Sequence, residues 1–218
     1  MNEPQMSPLG DGGIALKFGE GISEALSETV VRRARVISNG EIIGITDVVP
    51  SYATLTVFYD PARIGYEDLR RRLVTLLAEN ENHSAESGEL KAKVHRIAVI
   101  YDGEDLDEVA NRTGMSRENV ISIHREKEYR VFVTGFVPGF AYLGVLDERL
   151  VLPRRESPRK RVPPGSVAIA ERQTGIYPAA TPGGWHLIGT TAEKLFDPDR
   201  NPPSMFQVGD RVRFERVG

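Results

Sequence analysis

Apolar positions along the chain fall into two regimes. Over residues 13–79 they repeat with alternating strand-like and helix-like periods. Gly13 to Phe18 alternates as a short strand. Ser23 stands where a helix cap belongs, and Leu26, Val30 and Ala34 follow at i, i+4 and i+8, which predicts a helix over about 24–37. Asn39-Gly40 ends it. Ile42 to Val49 and Ala53 to Tyr59 are rich in β-branched residues and predict two strands, the second broken by Asp60-Pro61. Tyr66 to Glu79 predicts a second helix, with Leu69, Leu73, Leu76 and Leu77 turned inward. The order β-α-β-β-α is that of a ferredoxin-like split βαβ, and also of other small α+β sandwiches.

The pattern then lapses. Residues 80–92 are polar and nearly free of large apolar groups, which predicts a linker and a division into an N-terminal α+β domain, 1–88, and a C-terminal domain, 89–218. The second domain opens with a strand from Val94 to Tyr101, a helix from Asp105 to Thr113 ended by Gly114, and a helix capped by Ser116 running to Glu126. Tyr129 to Thr134 is a strand. Beyond it the apolar runs are short and separated by turns: Ser166–Ala170, Trp185–Thr190 and Gly209–Phe214. Short strands at this turn density predict a β-barrel.

Composition narrows the picture. The 218 residues carry a net charge of -3 and contain no cysteine. Bulk nucleic-acid or anionic-membrane binding is not expected at that charge. Disulfides, a thiolate nucleophile and a cysteine metal site are excluded. The first residues, MNEPQMSPLGDGG, lack the basic and apolar regions of a signal peptide, and no run reaches the ~20 apolar residues of a membrane helix. A soluble, cytoplasmic protein is expected. The four histidines show no metal-site spacing, so no protein-bound metal is expected. Walker A and G-x-G-x-x-G sequences are absent, so any ATP is expected to bind at a site shared with another subunit.

The candidate chemistry lies between Gly135 and Gly189, where glycine and proline alternate with aromatics and basic residues. Such punctuation specifies a path of turns, and rigid loops with aromatics and arginines suit binding. Arg154, Arg155, Arg159, Lys160 and Arg161 place five cations within eight positions. They repel one another unless an anion or acidic partner offsets them, and arginine grips carboxylate or phosphate bidentately. Phe136, Phe140 and Tyr142, with Pro138 between them, can line a pocket, pack a core or meet a partner. Gln173, Thr174 and Tyr177 are neutral groups suited to an amide or lactam, or to holding a turn. Gly183 and Gly184 admit close backbone approach beside Trp185. Ser166 lies in Pro-Gly-Ser-Val-Ala, which is not a G-x-S-x-G elbow, and is expected at the start of a strand. His124 ends a predicted helix, where histidine often serves as a dipole partner. His186 is read as incidental.

The blocks GFVPGFAYLG at 135–144, PRR at 153–155, PR at 158–159, VPPGSVAIA at 162–170, QTGIYP at 173–178 and TPGGWHLIG at 181–189 occur in one order. Together they resemble the family that contains the B subunit of bacterial 5-oxoprolinase, the sporulation-kinase inhibitor KipI and the module long labelled as the first allophanate hydrolase subunit. The resemblance implies a cyclophilin-like C-terminal domain. It implies a component that acts with partner C and A subunits to open 5-oxo-L-proline to L-glutamate, coupled to hydrolysis of ATP with Mg. Alternatives within the resemblance are an inhibitor that docks on a sensor histidine kinase and a component of a urea or allophanate pathway. It adds His124 to the substrate-binding candidates Phe136, Pro138, Phe140, Tyr142, Arg154, Arg155, Arg159, Gln173, Tyr177, Gly183, Gly184 and Trp185, with catalytic residues unassigned. One departure from the family pattern is Glu171-Arg172, which stands where a glycine-led pair is usual.

Overall fold

A computed structural model describes residues 4–80 and 92–218. The chain divides into two compact units, Met1–Lys91 and Ala92–Gly218. The linker expected over 80–92 lies almost wholly outside the described residues. Both units mix helix and strand, and each has its own apolar core.

The first unit is a four-stranded sheet with two helices. Its strands are β1 (Gln5–Pro8), β2 (Gly13–Lys17), β3 (Ile45–Ser51) and β4 (Thr54–Tyr59), in the order β1-β2-β4-β3. Both β2 and β3 run antiparallel to β4, so they are parallel to each other with β4 inserted between them. Helix α1 (Glu24–Asn39) makes the connection from β2 to β3, and α2 (Tyr66–Glu79) follows β4. Val30, Ala34 and Ile37 of α1 and Leu69, Leu73 and Leu77 of α2 are buried in the core with Ile14, Leu16, Leu55 and Val57. These are the helical and alternating positions the sequence marks out. Two details differ. Ile42 to Gly44 is a turn, with Glu41 at φ 46° and Gly44 at φ 101°, so β3 begins only at Ile45. Strand β1 is polar and short, and gives no period-2 signal by which to predict it.

The second unit is built on a seven-stranded sheet. Its strands are β5 (Val94–Val99), β6 (Glu128–Thr134), β7 (Ala141–Gly144), β9 (Ser166–Ala170), β10 (Gln173–Ile176), β12 (His186–Thr190) and β13 (Arg211–Arg216). Their order is β12-β9-β10-β7-β6-β13-β5, antiparallel except for the β13–β5 pair. Ile100, just past β5, exchanges backbone hydrogen bonds of 2.9 and 2.8 Å with Thr190 at the end of β12. The two sheet edges therefore meet, and the sheet is nearly closed into a barrel, which removes exposed edges. Strands β8 (Arg159–Val162) and β11 (Thr181–Gly183) form a separate antiparallel pair. Helices α3 (Leu106–Thr113) and α4 (Arg117–Glu126) pack on this core through Leu106, Val109, Val120 and Ile123. Ser116 caps α4, its hydroxyl accepting from the Asn119 N–H at 3.2 Å. The stretch expected as rigid loops thus contains four unpredicted strands, β7, β8, β10 and β11. No helix among the described residues is long and apolar enough to cross a membrane.

Candidate functional site

The aromatics of the signature stretch assemble because the barrel strands bring them to one place. Phe140 precedes β7, Tyr142 lies on it, Tyr177 follows β10 and Trp185 precedes β12. Phe140 is the hub, with ring centroids 4.9 Å from Tyr142, 5.5 Å from Tyr177 and 5.7 Å from Trp185, all edge-on. This is the favoured arrangement of aromatic pairs. Phe140, Tyr177 and Trp185 are buried with Val162 and Leu187. Burial raises the pKa of the Tyr177 phenol, so it stays protonated as a neutral donor. Gly183 is required here: a Cβ at that position would stand 2.3 Å from the Tyr177 oxygen.

Phe136 is different. It is 58% exposed, its ring meets Phe140 edge-on at 5.5 Å, and its backbone has φ 71°. A bulky residue in the left-handed region is strained. With Pro138 and Ser204 it lines a shallow groove of about 310 Å³.

The arginines do not form the free cationic cluster that their density suggested. Arg155 Nη1 donates to Asp105 Oδ1 at 2.7 Å and to Glu108 Oε2 at 2.8 Å. Arg159 Nη2 donates to the same Asp105 oxygen at 2.7 Å, and its Nε lies 2.8 Å from Glu104 Oε1. The second Asp105 oxygen accepts from the Leu187 N–H at 2.7 Å. Asp105, nearly buried at the start of α3, therefore ties β8 and β12 to the arginine loop. Arg155 also donates its backbone N–H to Gly184 O at 2.8 Å. The expectation of an external anion is corrected for these two residues: carboxylates of the same chain offset them. Burial works to raise the Glu108 carboxyl, but hydrogen bonds from Arg155 and Arg112 outweigh it and hold its pKa below the usual range. Arg154 stays exposed, 3.4 Å from Glu171. Glu171 itself has φ 54°, which explains why glycine suits that position.

Among the described residues, four buried polar atoms in this region lack a hydrogen-bond partner: Arg155 Nε, Arg159 Nη1, Thr181 Oγ1 and His186 Nδ1. His186 is fully buried, its Nε2 donating to the Pro153 carbonyl at 2.9 Å, with Nδ1 3.9 Å from Glu108. It belongs to this cluster, contrary to its reading as incidental.

His124 is held elsewhere, in the barrel core. Thr174 donates its hydroxyl hydrogen to Ala168 O at 3.0 Å, so His124 Nε2 must donate to Thr174 at 2.9 Å. Its Nδ1 is then an acceptor for the Tyr101 hydroxyl at 2.9 Å. Every member of this chain of hydrogen bonds is satisfied, and burial lowers the His124 pKa to about 3. The ring is neutral and packs 4.6 Å from Phe214. Gln173 is buried one position from Thr174 on β10. Ser166 donates to Pro163 O at 2.8 Å at the head of β9.

The structure therefore joins Phe140, Tyr142, Tyr177, Gly183, Gly184, Trp185, Arg155 and Arg159 into one region, with Phe136 and Pro138 on its surface. His124 and Gln173 sit in the barrel interior, and Arg154 faces out. Sequence reasoning missed Glu104, Asp105 and Glu108. Their close spacing at a helix start was a visible signal, but their partners lie about fifty residues away.

Residues 4–206 match the family described as "Carboxyltransferase domain, subdomain C and D". The B subunit of 5-oxoprolinase from Bacillus subtilis is 41% identical over 98% of this chain and 92% of its own length. The protein of that name from Escherichia coli O157:H7 is 37% identical over 94% and 93%. The solved structure of TTHA0988 superposes with a TM-score of 0.83 at 42% identity, covering 94% of this chain but only 40% of the TTHA0988 chain. Urea amidolyase of K. lactis shares the fold at a TM-score of 0.76 and 17% identity. With a match of this extent and relatives aligned over nearly its whole length, the chain belongs to the carboxyltransferase domain, subdomain C and D family, among whose members is the 5-oxoprolinase B subunit.

Proposed function

We propose that this chain is the B subunit of an ATP-dependent 5-oxoprolinase and works only in a complex with the C and A subunits. The observation that carries the reading is the near-complete alignment with two 5-oxoprolinase B subunits. In the finer reading of the fold, the second unit is a cyclophilin-like barrel and the first a ferredoxin-like unit whose usual fourth strand is replaced by β1. The cytoplasm is the expected compartment.

The reaction breaks the lactam C–N bond of 5-oxo-L-proline and leaves a water oxygen on the new carboxylate of L-glutamate, while ATP is hydrolysed to ADP and phosphate. In this reading the chain's own residues bind and orient. Arg155 Nε and Arg159 Nη1 are donors with no hydrogen-bond partner among the described residues, suited to a carboxylate or phosphoryl oxygen. The Phe140, Tyr142 and Trp185 rings exclude water, which strengthens such contacts. Asp105 and Glu108 are positioning residues that hold the guanidiniums. ATP and Mg are handled at the level of the complex.

The test is ATP-dependent glutamate release from 5-oxo-L-proline by the chain co-purified with candidate C and A subunits, with each then omitted. Loss of turnover when this chain is left out supports the reading. Unchanged turnover without it, or turnover by this chain alone, removes it. A second reading, a kinase-docking inhibitor, draws on the exposed and strained Phe136. Binding of a sensor kinase that Phe136→Ser abolishes, with no glutamate release in any complex, would favour that alternative.

A further inference from the structure

A second concave site lies on the opposite kind of ground, a groove of about 480 Å³ where α4 meets β13 and β5. Its position follows from register. Strand β6 begins at Glu128, opposite Arg213, so residues Phe214–Arg216 of β13 run on beyond it. The C-terminal turn of α4 takes the adjoining place and brings Arg125 and Glu126 to the rim. The parallel β13–β5 register sets Arg213 directly beside Arg96. Like charges side by side on neighbouring strands destabilise a sheet. Arg125 and Arg216 both lie near enough to the Tyr101 hydroxyl to act on it electrostatically. Four guanidiniums thus converge on one groove.

Their carboxylate partners are committed unevenly. Arg96 pairs with Glu215 at 2.6 Å, and Arg216 holds both oxygens of Glu118 at 2.7 and 2.8 Å. Glu126 accepts from the Ser122 hydroxyl at 3.2 Å. Glu128 stands across the ladder from Arg213 without closing an ion pair with it. Among the described residues Arg125 and Arg213 make no ion pair at all.

We infer that this groove binds the phosphoryl group of a small phosphorylated ligand, with Arg125 and Arg213 as its principal contacts and Arg96 and Arg216 as supporting cations. Two unengaged planar forks suit a tetrahedral dianion, which has oxygens enough for both, better than a monocarboxylate. A bare phosphate occupies only part of the groove, which leaves room for the organic portion of the ligand. The inference is independent of the proposed 5-oxoprolinase role, since it uses none of the signature residues.

The test is calorimetric titration of the full chain at low salt with inorganic phosphate, ADP and acetate in turn. Saturable phosphate binding is expected, with acetate weaker, and about tenfold or greater weakening in the folded Arg125→Glu/Arg213→Glu variant. The same two-charge reversal at Arg63 and Arg70, surface residues of the first unit, should leave affinity unchanged. ADP binding more tightly than phosphate identifies a nucleotide as the source, and equal affinity identifies the phosphoryl group alone. Circular dichroism and a thermal scan establish that each variant is folded. Should the Arg125→Glu/Arg213→Glu variant not fold, Arg125→Gln/Arg213→Gln replaces it with the same expected loss. Acetate binding as tightly as phosphate, no phosphate binding up to tens of millimolar, or equal binding by the variant overturns the inference. So does a preference for an oligoglutamate peptide over phosphate.

Discussion

The second unit carries two sets of arginines that differ in a way a count of charges hides. Arg155 and Arg159 lie in the densest basic run of the chain, yet Glu104, Asp105 and Glu108 hold both of them. Arg125 and Arg213 lie 88 positions apart in the sequence, attract no notice there, and make no ion pair among the described residues. Arg155 and Arg159 of the crowded run are committed to structure, whereas the dispersed Arg125 and Arg213 are left available. Burial explains the difference. A guanidinium enters a poorly solvated place only with its counter-charge, whereas a surface guanidinium is solvated without one.

The comparison is broken most sharply at Asp105. Asp105→Ala leaves two partly buried guanidiniums short of an acceptor and frees the Leu187 N–H, so a loss on the order of 3 kcal/mol is expected in urea unfolding. A loss under about 1 kcal/mol would mean the arginines are not held as described.

His124 supplies a buried polar group with no ion partner, and so a pH signature of its own. Its folded pKa is depressed to about 3 by burial, below the unfolded value near 6.5. The unfolded chain therefore binds a proton that the folded chain refuses, and stability falls as pH drops from about 6.5 toward 3. Glu108, also depressed, gives a loss of the same sign at the acid end. His124→Gln is expected to lower stability at pH 8 by roughly 2 kcal/mol through its broken hydrogen bonds, yet to flatten the slope between pH 6.5 and 4.5. An unchanged slope, read from unfolding midpoints across that range, would assign the dependence to other groups.

The smallest effects belong to the exposed arginines. Arg154→Ala is expected to stay within about 0.5 kcal/mol of the parent, since its contact with Glu171 is solvent-exposed. Arg213→Gln relieves its repulsion with Arg96 without setting a second carboxylate opposite Glu128, and is expected to leave the thermal midpoint unchanged or raised. A clear fall in either midpoint would mean that surface cations carry structural work too.

Much of the fold was legible because apolar spacing reports on core faces. Helix α2 has the expected bounds, and Leu69, Leu73 and Leu77 are its buried stripe. Strands β7, β8, β10 and β11 were not legible. Each has four residues or fewer, carries glycine, proline or polar side chains, and is defined by partners elsewhere in the chain. Gln173-Thr174-Gly175-Ile176 reads as a polar turn, yet all four residues are buried between β7 and β9. The aromatic cluster could be anticipated from its motifs. Asp105 could not, because a lone sequence does not reveal a pairing across 50 and 54 positions. Glu171 lies between: its place in a glycine-led motif hinted at the positive φ the backbone adopts.

The most direct measurement is a double-mutant cycle on Asp105→Asn and Arg155→Ala, read by urea unfolding. If the chain's own carboxylate holds the signature arginine, the two changes couple by more than about 1 kcal/mol. Additivity within about 0.5 kcal/mol would contradict that, and would return Arg155 to the role of a free cation awaiting an anion from outside the chain.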